Sequence, residues 1–264
     1  MVNVRRVRVK NLLTPTKLGG DYAINPYTGC PHKCLYCYAA CMNWSGKVRD
    51  EHWGDFLDVK VPAVPLDLTK IFRKQVLLSS MTDAYNPYED RAEITRDILK
   101  QMLPAEPRIV IITKSKLVTR DIDLFKQFPY VRVIISFSSV DNNFRRLVEP
   151  HASSPQEKIE ALKTLKAAGI RTSVFVAPTF PGISNPTEIA RTVSPWAGRV
   201  NFDSLNVRRQ NKEKIFELVR KIRPDLLPLY EDIYERQNKR YWIDLRKEIK
   251  QFCAENKILG NIYF

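Results

Sequence analysis

The sequence has no long apolar run, few glycines and no repeated or low-complexity segment. Its longest apolar stretches, such as residues 109–112, are too short to span a bilayer. The basic start MVNVRRVRVKN lacks the apolar stretch of an export signal. Only 9 of the 264 residues are glycine, which excludes collagen-like and linker-like compositions. We therefore expect a cytoplasmic protein without a membrane segment.

What the sequence does contain is core-forming material and positive charge. Hydrophobic residues make up 44% of the chain and charged residues 27%, a mixture typical of a globular protein with a sizeable core. Lys and Arg number 43 against 29 Asp and Glu, so the formal net charge is +14. Such a charge favours a polyanionic partner, with DNA or RNA as the candidate. A solvated surface with no such partner is the alternative.

The order of predicted elements indicates an α/β fold. Short β-branched apolar runs alternate with segments of helical spacing, the pattern of parallel β/α units. Ser154 followed by Pro155 predicts a helix start, and Gly169 predicts its end. The predicted strands are 22–25, 76–79, 109–113, 131–137, 172–177 and 200–207. The predicted helices are 92–102, 155–168, 212–222, 226–237 and 241–254, and a short strand is predicted at 258–264.

Six β/α units predict a partial barrel. They fit between residues 20 and 210, which favours a partial (β/α)6 barrel of the TIM type over a closed eightfold barrel of about 250 residues. We expect a basic N-terminal segment (1–19), the barrel (20–210) and a helical C-terminal extension packed on it (211–264). Chemistry in such barrels lies at the C-terminal ends of the strands. The polar residues at predicted strand ends are Ser79, Ser80, Thr113, Lys114, Ser136, Ser138, Asn206 and Arg208.

Four of the five cysteines lie close together in the chain, at Cys30, Cys34, Cys37 and Cys41. Clustered thiols in a cytoplasmic protein are more often metal ligands than disulfides. Structural zinc sites usually combine two short pairs from separate places, and no second pair is present. Three thiolates in a C-x3-C-x2-C spacing suit three corners of a cubane iron–sulfur cluster. A zinc site made by all four cysteines, in a nucleic-acid-binding module without catalysis, is the alternative.

The segment NPYTGCPHKCLYCYA resembles the cluster loop of the radical S-adenosylmethionine (radical SAM) superfamily, and within it the spore photoproduct lyase-like branch. The similarity continues through the blocks SSMTDAYNPYE, ITKSKLVTRDIDL, LVEPHASSP and APTFPGISNP. The resemblance implies a [4Fe–4S] cluster at the barrel mouth, held by Cys30, Cys34 and Cys37. It also implies that SAM binds the open iron and is cleaved to a 5′-deoxyadenosyl radical, which takes a hydrogen atom from the substrate. A reducing partner such as flavodoxin or ferredoxin would supply the electron.

The resemblance further implies which residues contact SAM. Tyr36 is expected near the adenine, and Ser79 and Ser80 where the family binds the amino group. Lys114 is expected to pair with the carboxylate. Ser136 is expected to make another contact to that end of the cofactor.

Three further residues are predicted to have no part in the cluster. Cys41 is expected to stay free, because the fourth iron is kept for SAM. Cys253 is expected to be a small buried residue on a C-terminal helix. His32, within the cluster loop, is expected to face solvent.

Ser80 stands where spore photoproduct lyases carry a cysteine that returns a hydrogen atom to the product radical. A serine O–H bond is much stronger than a thiol S–H bond, so Ser80 is a poor hydrogen-atom donor. We therefore expect a substrate other than the spore lesion. Donation by Tyr38 or Cys41, or return of the hydrogen atom by 5′-deoxyadenosine, is the alternative.

Clusters of basic residues bear on the substrate class. They are Arg5, Arg6, Arg8 and Lys10; Arg208 and Arg209; Arg220, Lys221 and Arg223; and Lys239 and Arg240, which precede Tyr241 and Trp242. Phosphate contacts by cations and stacking on aromatic rings suit nucleic acid, whose target base must leave the stack to reach a barrel mouth. We predict a radical SAM enzyme acting on nucleic acid, by lesion repair or base modification. A radical SAM enzyme acting on a peptide or small molecule is the alternative.

Overall fold

The computed structural model describes residues 2–42 and 51–264. The strands in this part of the chain are β1 (Asn3–Val9), β2 (Leu13–Pro15), β3 (Tyr22–Ile24), β4 (Tyr27–Thr28), β5 (Phe56–Pro62), β6 (Gln75–Leu78), β7 (Arg108–Thr113), β8 (Tyr130–Phe137), β9 (Arg171–Thr179) and β10 (Val200–Ser204). The α-helices are α1 (Leu68–Ile71), α2 (Glu89–Ala92), α3 (Ile94–Met102), α4 (Ile122–Phe125), α5 (Asn142–Val148), α6 (Pro155–Ala167), α7 (Pro186–Val193), α8 (Arg209–Ile222), α9 (Leu227–Tyr234) and α10 (Arg240–Glu255).

A seven-stranded sheet with the order β10-β9-β8-β7-β6-β3-β2 forms the barrel wall. Its six strands from β3 to β10 are parallel neighbours in chain order, and β2 joins β3 antiparallel. The sheet therefore has two edges and is a partial (β/α)6 barrel, as the sequence predicted. The predicted strand 200–207 is shorter than expected, because β10 ends at Ser204 and the chain then turns toward α8.

The core lies between this sheet and the helices that connect its strands. β-Branched residues of the central strands and leucines of α6, among them Ile111, Ile135 and Leu162, are fully buried. The α6 start is a capping box: the Ser154 hydroxyl accepts from Glu157 N, and the Glu157 carboxylate accepts from Ser154 N. This helix was predicted at its observed position. The helix predicted at 92–102 starts only at Ile94, because Glu93 adopts a left-handed conformation with φ 51°.

A second, three-stranded sheet with the order β1-β5-β4 was not predicted. The strand β1 lies within the segment that we expected to be only basic, and it pairs parallel with β5 along its whole length. Its valines are interspersed with exposed arginines, and its partner lies about fifty residues later in the chain. Local sequence therefore gave little sign of the pairing. The division of the chain at residues 19 and 210 remains a prediction.

The three predicted C-terminal helices are present as α8, α9 and α10. The predicted last strand is not: residues 258–264 run alongside β10 with a single bridge, Phe202 to Ile262. Backbone bonds Val200 N to Leu259 O (2.8 Å) and Phe202 N to Asn261 O (2.9 Å) hold this tail. It covers one edge of the barrel sheet. No helix in the described part of the chain is both long and apolar enough to cross a membrane.

Candidate active site

A cavity of about 290 Å³ lies at the C-terminal ends of the barrel strands. Its wall includes all eight residues proposed from the sequence for the cluster and for SAM, namely Cys30, Cys34, Tyr36, Cys37, Ser79, Ser80, Lys114 and Ser136. They come from one loop, residues 29–37, here called the cluster loop, and from the ends of β6, β7 and β8. Parallel strands present their C-terminal ends at one rim, which is why residues up to about a hundred positions apart meet here.

The cluster loop is held in a tight conformation. Gly29 precedes Cys30 with φ 84°, and a Cβ atom there would lie 2.3 Å from the Phe56 carbonyl oxygen. Turns close from Cys30 O to Lys33 N (3.2 Å) and from Cys34 O to Cys37 N (3.1 Å). The loop is therefore packed directly against β5, and glycine is required at this position.

Burial is the main cause of a raised pKa at all three thiols of the loop, and it raises the pKa of Cys30 to about 12. Without metal these groups are neutral thiols at pH 7, so each would lose a proton on binding iron. Three soft sulfur donors on one loop suit an iron–sulfur cluster, in which each thiolate binds a different iron. Within residues 2–42 and 51–264, no three Cys, His, Asp or Glu side chains are arranged as ligands of a single metal ion.

Ser79 supplies a second test of whether the cavity fits a cofactor. It follows β6 with φ 65°, its side chain is buried, and its hydroxyl oxygen finds no hydrogen-bond partner among the described residues. A buried hydroxyl without a partner and a left-handed backbone at a non-glycine residue are each unfavourable in isolation. Both are typical of a ligand site, and Ser79 belongs to the cavity wall where the amino group of SAM is expected. The residues present fit the cluster and SAM.

Lys114 is half-buried in the cavity wall, not a surface lysine. Its Nζ lies 5.8 Å from the centroid of the Tyr36 ring. Burial lowers the pKa of its ammonium, but the acidic groups around it, the Cys34 thiol when ionised and the Glu149 carboxylate, outweigh burial, and the net pKa is raised. The side chain therefore carries a positive charge at the predicted position of the SAM carboxylate.

Asp83 is a central residue of the site that the sequence analysis missed. Its carboxylate accepts from Thr113 Oγ1 (2.8 Å) and from Lys114 N (2.7 Å), and it lies 3.4 Å from His32 Nδ1. His32 is only 2% exposed, so the prediction that it faces solvent is wrong. Burial lowers the pKa of this imidazole. Asp83 thus ties the cluster loop to the end of β7.

Asn25 and Tyr38 hold Ser80 in the wall. Asn25 Oδ1 accepts from Ser80 N (3.1 Å), and its Nδ2 donates to Ser80 Oγ (3.3 Å). The Tyr38 hydroxyl donates to the Ser80 carbonyl. Ser136 is also engaged, because its hydroxyl donates to Ala177 O (3.1 Å).

The opposite wall comes from β9 and β10. Phe175, Asp203 and Asn206 line it, and burial raises the pKa of Asp203. Among the other candidates, Thr113 lines the cavity, whereas Ser138 is buried outside its lining.

Cys41 and Cys253 lie outside the cavity lining. Cys41 is half-buried at the end of a short 3-10 helix that starts at Tyr38. Cys253 is half-buried and packs against the main core. Both positions agree with the expectation that neither holds the cluster, which remains a prediction.

Two more buried residues were missed, Glu149 and Lys158, behind the cluster loop. Asp83 and Glu149 lie in the blocks SSMTDAYNPYE and LVEPHASSP, two of the segments that resemble the family. Their place in these segments was the signal by which the sequence could have identified them. Sequence alone did not reveal which side chains of those blocks point toward the loop.

A partial barrel that gathers three thiols of one loop with polar strand ends defines an enzyme with a sulfur-ligated cofactor at its open rim. The family model of the Radical SAM superfamily matches residues 24–193. An uncharacterised protein of Methanocaldococcus jannaschii is 33% identical over 215 residues, covering 81% of this chain and 82% of that protein. The chain belongs to the radical SAM superfamily and is a radical SAM enzyme.

Solved structures show the same fold. Spore photoproduct lyase complexed with dinucleoside spore photoproduct superposes with a TM-score of 0.70 at 16% identity, covering 99% of this chain and 82% of that one. A variant of spore photoproduct lyase with bound AdoMet and dinucleoside spore photoproduct gives a TM-score of 0.67 at 18% identity, covering 99% and 81%. At such low identity these likenesses establish the architecture.

Proposed function

We propose that this radical SAM enzyme acts on a base or base lesion of a nucleic acid. When bound, the cluster and SAM supply a carbon-centred radical that removes a hydrogen atom from the substrate. Cys30, Cys34 and Cys37 would hold the cluster. Ser79 would bind the amino group of SAM and Lys114 its carboxylate.

Unpaired cations that follow the cavity wall in the chain are the observation that carries the proposal. Arg208, Arg209 and Lys214 are exposed and have no ion-pair partner among the described residues. Arg208 follows the cavity residue Asn206 by two positions. It lies close enough to Cys41 to lower the pKa of that thiol, as does Lys214, although burial leaves the net pKa raised. Exposed cations that no carboxylate pairs with suit phosphate groups of a strand whose base enters the cavity.

Two basic residues of other clusters are less suited to this role, since a carboxylate pairs with each of them. Arg5 pairs with Glu51 (2.7 Å) and Arg223 with Asp225 (2.7 Å). The aromatic pair at 241–242 is also engaged, because its rings pack on each other with centroids 5.1 Å apart. These two rings are therefore not a free stacking surface.

The cavity itself offers surfaces for a base. The rings of Phe175 and Tyr38 line it, and aromatic rings stack with any base. The Asp203 carboxylate beside them accepts from Ser204 N and has a second oxygen that can accept a hydrogen bond. A base would reach this wall only after leaving its stack, which favours single-stranded or flipped-out substrate. Spore photoproduct lyase, a protein of the same fold, forms a complex with a dinucleoside, which supports a substrate of this class.

Binding to single-stranded DNA and RNA tests the substrate class. We expect the association constant to fall linearly with salt on logarithmic axes, and Arg208→Ala/Arg209→Ala to reduce the slope by about 1.4 if each cation contacts one phosphate of a single strand. The control is Lys239→Ala/Arg240→Ala, which removes two adjacent cations elsewhere and should change the slope less. Absence of salt-dependent binding would contradict the proposal and favour a peptide or small-molecule substrate.

The reaction is tested with the reconstituted, reduced enzyme. Single-stranded DNA or RNA carrying deuterium on its bases should transfer deuterium into 5′-deoxyadenosine. If SAM is cleaved without deuterium transfer from either nucleic acid, the proposed substrate class is wrong.

A further inference from the structure

We propose that Glu149 is a positioning residue, which holds Tyr36 and with it the cluster loop in the conformation that binds SAM. The inference rests on the proposed cofactor site and is independent of the nucleic-acid substrate. The Tyr36 hydroxyl donates to Glu149 Oε1, and Lys158 Nζ lies 3.0 Å from Glu149 Oε2. Glu149 is 0% and Lys158 1% exposed. The three side chains form a buried chain that ends on the loop between the second and third cluster cysteines.

Glu149 is itself held rigidly. It follows α5, and the Arg145 guanidinium donates to the carbonyls of Glu149 (3.2 Å), Pro150 (3.3 Å) and Ala152 (3.2 Å). Lys158 is fixed by its place in α6. The buried Lys158 ammonium binds one carboxylate oxygen of Glu149 and so fixes the orientation of the carboxylate. The other oxygen then points toward Tyr36.

Tyr36 is held at further points. Its ring packs edge-on against Phe180 with centroids 5.8 Å apart, and its carbonyl accepts from Asn211 Nδ2 (3.3 Å). The neighbouring Leu35 N donates to Val148 O (2.9 Å), directly before Glu149. The turn that carries Glu149 thus contacts the cluster loop through both backbone and side chain.

The geometry separates the two ends of Tyr36. The residue lines the cavity, whereas its hydroxyl is turned to a carboxylate outside the cavity lining. Glu149 therefore does not touch a ligand in the cavity. Its effect reaches the site through the position of Tyr36, which lines the cavity where SAM is expected.

Two measurements that do not depend on turnover test this role: equilibrium SAM binding to the cluster-loaded protein, and amide hydrogen exchange of residues 30–37 in the metal-free protein. We expect Tyr36→Phe and Glu149→Gln each to weaken SAM binding about fivefold to twentyfold, with iron content retained. Both should speed exchange in the loop. The control Glu160→Gln makes the same chemical change at an exposed ion pair of α6 and should alter neither measurement.

The double variant Tyr36→Phe/Glu149→Gln tests most directly whether the two residues act together. If the two residues act as one unit, it should bind SAM no more weakly than Glu149→Gln alone. Additive losses would overturn the proposal. Unchanged SAM affinity and unchanged loop exchange in Tyr36→Phe would also overturn it. The same holds if Glu149→Gln loses its iron while Tyr36→Phe retains it.

Glu149→Gln leaves Lys158 buried without its anion and could prevent folding. The variant Glu149→Leu/Lys158→Met removes both charges, and Tyr36→Phe keeps the ion pair whole. Faster loop exchange and weaker SAM binding in both would support the proposal. Wild-type behaviour in both would refute it, whatever the result of the nucleic-acid experiments.

Discussion

At the scale of single residues, the four clustered cysteines separate into two kinds by position. Cys30, Cys34 and Cys37 line the cavity, and Cys41 lies outside its lining. Alanine at any of the first three should abolish the cluster, because each would supply the thiolate for one iron. Cys41→Ala should retain it, as measured by iron and sulfide per chain after anaerobic reconstitution. Equal loss of iron in Cys41→Ala would contradict the assignment and support a four-cysteine site.

A second prediction at this scale concerns Lys114, whose raised pKa keeps it charged in the cavity wall. Lys114→Ala should weaken SAM binding by about 1.5–3 kcal/mol, the contribution of a charge-assisted hydrogen bond. The cluster should survive, as its absorbance would show. Lys126→Ala, at an exposed position, is the control. Unchanged affinity in Lys114→Ala would exclude a contact with the cofactor.

Ser80 bears on the substrate. It lines the cavity, but its hydroxyl is a poor hydrogen-atom donor, so the enzyme should convert the spore photoproduct dinucleotide slowly or with trapped side products. Ser80→Cys should then increase clean conversion, measured by chromatography of the products. Fast, clean repair by the unaltered enzyme, with little change in Ser80→Cys, would show that the spore lesion is a true substrate.

At the scale of elements, α6 carries Lys158 to the back of the cluster loop, and its start is defined by Ser154 and Glu157. Ser154→Ala should lower the free energy of unfolding by about 1 kcal/mol, as loss of an N-cap does. Its measurement is urea unfolding of the metal-free protein. The control is Thr164→Ala, at an exposed position of the same helix, because its hydroxyl donates to Glu160 O within the helix and caps no helix end.

The same capping box predicts a pH dependence. A hydrogen bond from Lys116 and those from Ser154 lower the pKa of Glu157 from 4.5 to about 2. A lowered pKa in the folded state stabilises the fold above pH 4.5, and this stabilisation is lost as the pH falls toward 2. Wild type should therefore be more stable than Glu157→Gln at pH 7, with the gap closing between pH 4.5 and 2. A gap that stays constant over this range would show that the charge of Glu157 does not matter.

At the scale of the whole molecule, the two edges of the barrel sheet differ in what lies there. β2 lies at one edge, and the tail 258–264 lies along β10 at the other. The tail approaches β10 so closely that a Cβ atom at Gly260 would lie 1.6 Å from Val200 O. Covering an edge strand in this way blocks pairing with other chains.

Gly260→Ala should therefore displace the tail and destabilise the protein by about 1–3 kcal/mol, as overpacking does. Thermal unfolding and light scattering would measure the loss of stability and the association through β10. Gly198→Ala is the matched control, because a Cβ atom there meets only Thr172 O at an ordinary 3.5 Å. Equal stability of the two variants would show that the tail is dispensable.

The sequence by itself determined the six barrel strands, the α6 boundaries, the family and the residues proposed for the cavity wall. The reason is that these features are local: apolar runs of strand length, a cap followed by proline, and a cysteine spacing within eight residues each carry their signal in a short window. The C-terminal ends of the strands of a parallel barrel then meet at one rim, irrespective of the conformation of the loops.

Only the tertiary structure decided the β1–β5 pairing, the burial of His32 and the contacts of Asp83 and Glu149. Each depends on groups far apart in the chain, and burial or charge pairing leaves no periodic trace in sequence. His32 and Glu149 have ordinary solvent-facing residue types, yet both are buried because partners from other elements satisfy them. The sequence identified the residues proposed to bind the cofactor, and folding decided which residues hold them in place.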